Sequence, residues 1–125
     1  MKLISILESW KKPKFWYHGT IKRRYDKIIK DKVLKPSLAD NEEFGEGIWF
    51  ADNFKDAKDY ANSKGYGGKV FALDSKFLEK FKYVYTVNAK TRKEFDLGTD
   101  LVVKEKIPLK FLKVVDKPLD NRQRY

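Results

Sequence analysis

The chain holds a single histidine, His18, inside the stretch "FWYHGT" at residues 15–20. A lone imidazole can serve as a general base or hold a polar ligand through hydrogen bonds, but it is also a common structural group. Here it follows three aromatics and precedes Gly19, whose missing Cβ would let a ligand approach the backbone. A second glycine-edged stretch, "GEGIWFADNFKDAKDYA" at 45–61, carries Trp49 and Tyr60. Aromatics offered by a strand end and by the helix after it can clamp a flat ring between them; the plainer alternative is that both are core residues.

Other chemistries lack their parts. With no cysteine there are no disulfides, thiolate nucleophiles or Cys-based zinc sites. One histidine does not make a multi-His metal cage, so no metal is expected. Neither GxSxG nor GxxxxGK[ST] occurs, which removes the nucleophile elbow and the P-loop.

Positioning these residues takes a framework, and the patterning supplies one. "KFWYHG" reads as a strand ending at a glycine, with Thr20 as the N-cap of a helix whose inner face is Ile21, Tyr25, Ile28 and Ile29. Lys22, Arg23 and Arg24 fall mostly off that stripe, and Pro36 forces an extended turn after it. Residues 37–47 are polar and glycine-containing, a loop, before the short apolar strand "GIWFA". Asp52 or Asn53 caps the next helix, with Phe54, Ala57, Tyr60 and Ala61 on one face, and Gly65, Gly67 and Gly68 turn it into strand "KVFAL". "FKYVYTV", "DLVVKE" and "FLKVV" are further strands, with a loop at 88–98 and with Pro108 at a turn or an edge.

Residues 1–13 read as a short amphipathic helix through Leu3, Ile4, Leu7 and Trp10, and residues 117–125 as a basic tail. Strands gathered in the second half favour an α+β fold over a doubly wound sheet. The expectation is one domain over 1–125: a compact split sheet of short, mostly antiparallel strands with two or three flanking helices.

Net charge is +10, from 28 Lys+Arg against 18 Asp+Glu. Such a surface suits an anionic partner (nucleic acid, an acidic protein or a phosphate-bearing cofactor), or it serves solubility alone. No zinc finger, RNP-like signature or basic coiled-coil region is visible. The apolar run Leu3–Leu7 is too short for a secretory core and no stretch is long enough to span a membrane. The absence of cysteine fits a reducing, intracellular setting, and the expectation is a cytoplasmic protein acting as a monomer.

Taken together, "YHGT" at 17–20, "GEGIWFAD" at 45–52, "DAKDYAN" at 56–62 and "TDLVVKEKIPLKFLKVVD" at 99–116 resemble the ADP-ribosyltransferase superfamily. The likeness is to its poly-ADP-ribose-polymerase-like or diphtheria-toxin-like branch, with a His-Tyr-Glu triad, and covers residues 15 to 116. It implies NAD as co-substrate. His18 would hydrogen-bond a ribose hydroxyl, and the Gly19 backbone would hold the nicotinamide carboxamide. Trp49, in place of the family's first tyrosine, and Tyr60 would stack on the nicotinamide, with Thr20 and Phe50 as further cofactor contacts.

Three departures stand out. Trp49 lacks a phenol hydroxyl, and Ala57 stands where many relatives carry serine. Asp100 occupies the glutamate position, where the carboxylate supports an oxocarbenium-like transition state; a turn residue in "DLGTD" is its alternative reading, and Glu94 and Glu105 are fallback carboxylates. The resemblance implies mono-ADP-ribosyl transfer with nicotinamide release to an anionic acceptor, nucleic acid or protein, met by Lys90, Arg92 and Lys93 in the loop before Asp100. It also leaves open a binding module without catalysis. A related NAD-dependent RNA 2'-phosphotransferase relies on a second histidine that this chain lacks. By analogy alone, the small size suits a bacterial or phage effector.

Overall fold

A computed structural model describes residues 13–37, 46–87 and 99–119. In it, the aromatic stretch forms β1 (Phe15–Thr20), followed by α1 (Lys22–Asp31), β2 (Val33–Leu34), β3 (Ile48–Ala51) and α2 (Phe54–Ala61). Then come β4 (Lys69–Asp74), a 3-10 helix (Ser75–Lys80), β5 (Tyr83–Val87), β6 (Thr99–Val103), β7 (Ile107–Pro108), a 3-10 turn (Leu109–Phe111) and β8 (Leu112–Val115). The main sheet runs β5-β6-β3-β1-β4-β8, with each neighbouring pair antiparallel, and β2 and β7 form a separate two-stranded ladder. The fold is α+β, as the patterning implied.

Alternation along β1 sends Trp16, His18 and Thr20 to one face and Tyr17 and Gly19 to the other. The register carries that division across the sheet. On the first face, Trp16 packs with Phe50, Phe71, Leu73, Leu101 and Val103 beneath Ile28 of α1 and Leu78. On the second, Tyr17, Val70, Ala72 and Val115 pack against Ala57 and Ala61 of α2. A strand buried on both faces must be apolar at consecutive positions, which is why β1 is so rich in aromatics.

Helix α2 begins as expected: the Asn53 side chain accepts the Asp56 N–H at 2.9 Å. It lies unusually close to the sheet. A Cβ at Gly19 would sit 1.9 Å from the Ala57 carbonyl oxygen, and one at Gly68 equally close to that of Ala61. The two glycines and two alanines are therefore what let helix and sheet meet backbone to backbone.

Other expectations are corrected. Thr20 does not cap α1. It completes β1 opposite Lys69, and Ile21 takes the N-cap position without a side-chain bond. Ile29 is 42 % exposed, so the inner face of α1 narrows to Tyr25 and Ile28. Residues 33–34 extend the chain into β2 directly after α1, with Lys32 in the left-handed conformation at the helix end; Pro108, expected at a turn or an edge, lies in the two-stranded ladder opposite Val33. The N-terminal helix, most of the 37–47 loop, the 88–98 loop and the end of the tail lie outside the described residues. Leu119 is described, and its N–H donates to the Tyr17 hydroxyl at 2.8 Å, tying the segment after β8 back onto β1. Among the described residues, no helix is long and apolar enough to cross a membrane.

Candidate functional site

The sheet opens where the histidine lies. β1 and β4 pair along all six positions of β1, whereas β1 and β3 share one register pair, Tyr17 opposite Ala51. Continuing that register would set Gly19 against Trp49, but the ladder is not made there. His18 reaches across at this point: its Nδ1 donates to the Trp49 carbonyl oxygen at 2.7 Å. The imidazole thus bridges the split between the two central strands, with its ring 5.5 Å from that of Phe50.

This contact fixes the proton. A carbonyl only accepts, so Nδ1 carries the hydrogen and the neutral ring presents a lone pair at Nε2. Burial lowers the pKa of His18 below its ordinary value. The Trp49 carbonyl pulls in the opposite direction, and the Arg24 charge adds to the lowering. At neutral pH the ring is a neutral acceptor, suited to a hydroxyl donor.

The remaining residues divide between the two faces. Trp49 pairs with Val102 and Ala51 with Asp100, so Trp49 and Asp100 are diagonal neighbours on the face that carries α2. Gly19 shares that face, while His18 belongs to the other and reaches its neighbours only through the split. Trp49 and Asp100 are both half-buried. Tyr60, on α2, is 45 % exposed and so is no core residue; Phe54, Ala57 and Ala61 make that helix's contact with the sheet.

The structure gives several candidates roles that the sequence did not suggest. Gly19 is occupied on its α2 side by the Ala57 carbonyl, so its bareness serves helix packing before any ligand. Phe50 is 1 % exposed and supports the His18 ring from within the core. Thr20 is 2 % exposed, and its Oγ1 has no hydrogen-bond partner among the described residues. Glu105 is engaged at the far end of β6, accepting the Lys82 N–H at 2.6 Å, so it is a structural latch remote from Asp100. Glu94, Lys90, Arg92 and Lys93 lie outside the described residues. Arg24 was missed as a neighbour of the histidine; its position one helical turn after the "HGT" stretch was the available signal.

No protein-family model matches the chain, and no curated protein or solved structure matches it at a significant level.

Proposed function

We propose that the protein is an NAD-dependent mono-ADP-ribosyltransferase acting in the cytoplasm, with its site at the split between β1 and β3. The observation that carries the reading is the His18 bridge: a neutral imidazole, oriented by the Trp49 carbonyl, leaves Nε2 as an acceptor beside a strand gap. That acceptor suits a ribose hydroxyl. Trp49 and Tyr60 supply aromatic surface for nicotinamide, and Asp100 supplies a carboxylate on the same face as Trp49.

In the reaction, the bond between ribose C1' and the nicotinamide nitrogen breaks, and its electron pair leaves with neutral nicotinamide. The Asp100 carboxylate stabilises the positive charge that develops on the ribose. A nucleophile of the acceptor then attacks C1', forming the new glycosidic bond, and its proton passes to solvent. His18 positions the substrate by accepting a hydroxyl hydrogen bond, so its removal weakens productive binding.

The test uses NAD labelled in its adenylate half, with separate incubations containing single-stranded RNA, single-stranded DNA and an acidic protein. Transfer of label with matching nicotinamide release, lost in His18→Ala, supports the proposal. If NAD raises the melting temperature but its label never leaves the cofactor, the protein is a binding module of the same fold.

A further inference from the structure

We infer that the glycine turn after α2 is a binding site for single-stranded nucleic acid, with Tyr66 as a stacking platform. Tyr66 is 97 % exposed. An aromatic ring left wholly in water at a turn tip serves no core, and this one is held there by a built framework. Gly65 and Gly67, on either side, adopt φ of +110° and +94°, which only glycine takes without strain. The approach to the tip is pinned, since the Ser63 N–H and hydroxyl both donate to the Tyr60 carbonyl and the Gly65 N–H donates to that of Asn62. The exit is pinned too, because Gly68 sits against the Ala61 carbonyl. The ring is therefore presented on a fixed backbone.

Its surroundings are cationic. Gly67 rests on the aliphatic stem of Lys22, so close that a Cβ there would lie 2.9 Å from the lysine Cδ. Lys64 flanks the tip, and Lys69 opens β4 directly after it, opposite Thr20. Between Asp59 and Asp74 the chain has no acidic residue, and Asp59 is already paired with Lys55. The first turn of α1 carries Lys22, Arg23 and Arg24 with no acidic residue, although cations are disfavoured at the positive end of a helix. Lys22, Lys64 and Lys69 make no ion pair among the described residues.

An exposed ring amid unneutralised lysines matches a strand of nucleic acid, whose bases stack on aromatics in any sequence while its phosphates seek cations. A duplex hides its base faces and would use only the charges. The patch lies at the end of β1 that holds His18 and Gly19, but the inference does not depend on the NAD reading.

The experiment measures fluorescence anisotropy of labelled 12-nucleotide single-stranded RNA, single-stranded DNA and the matching duplex, without NAD, at two salt concentrations. The single strands should bind more tightly than the duplex, and the RNA and DNA arms show which sugar is preferred. Tyr66→Ala should weaken single-strand binding about tenfold with the melting temperature unchanged, while Tyr66→Phe, which keeps the ring, should bind like the parent. Lys22→Ala and Lys64→Ala should each flatten the salt dependence by roughly 0.7 in log–log slope. Equal binding of duplex and single strand, or unchanged affinity in Tyr66→Ala, overturns the inference. So does poly-glutamate binding with the same loss on Tyr66→Ala, which would mark an acidic-protein surface.

Discussion

Replacing Gly19 by alanine separates two roles that a glycine after a histidine can have. The new methyl would lie 1.9 Å from the Ala57 carbonyl oxygen, where ordinary contact begins at 3.4 Å, so α2 must retreat by about 1.5 Å. The obstacle is backbone on both sides, and no rotamer change relieves it. Retreat would loosen the contacts of Ala57 and Ala61 with Tyr17, Val70 and Ala72. Overpacking of a well-filled site costs about 1–3 kcal/mol, and lost helix contacts bring the expected total to roughly 2–4 kcal/mol. For a domain of this size that is a fall of about 8–16 °C in melting temperature.

Gly65→Ala is the control, since nothing lies within 4 Å of its Cβ and only the positive φ opposes the change. Its expected cost is about 1–2 kcal/mol. Both variants are read by thermal and urea unfolding, with NAD binding measured alongside. If Gly19→Ala melts within a few degrees of the parent and loses only NAD affinity, the packing argument is wrong and the glycine is reserved for ligand.

Two further perturbations follow from the hydrogen bonds. His18 has a lowered pKa when folded, so the unfolded chain binds the extra proton; stability therefore falls as pH drops below about 6.5, until the folded-state pKa is passed. His18→Gln keeps an N–H for the Trp49 carbonyl but cannot titrate, and its stability minus that of the parent should rise as pH falls through that window; a flat difference would contradict the partly buried, neutral imidazole. Tyr17→Phe removes the acceptor of the Leu119 N–H, at an expected cost of about 1 kcal/mol in urea unfolding, and an unchanged midpoint would show that the segment after β8 is not held there.

The parts legible in the sequence were those decided by local chemistry. The Asn53 cap and the short apolar runs of β3 and β4 each follow from a few neighbouring residues. Thr20 misled because its side chain suits a cap, while the ladder with β4 holds it in β1 through the pair with Lys69. Two-residue strands such as β2 and β7 are too short to show a period, and only their mutual pairing defines them. The candidate site divides the same way. Its residue types were visible, but the split between β1 and β3, the face shared by Trp49 and Asp100, and the filling of Gly19 by α2 depend on register and on contacts distant in sequence.

The proposed chemistry stands or falls on nicotinamide release by the parent and by Asp100→Asn, an exchange that keeps shape and removes charge. The parent should release nicotinamide well above the spontaneous hydrolysis of NAD. Asp100→Asn should release it at least a hundredfold more slowly with NAD affinity retained, because the carboxylate acts on charge that exists only in the transition state. Equal rates for the two proteins, or a parent rate no faster than spontaneous hydrolysis, would contradict it.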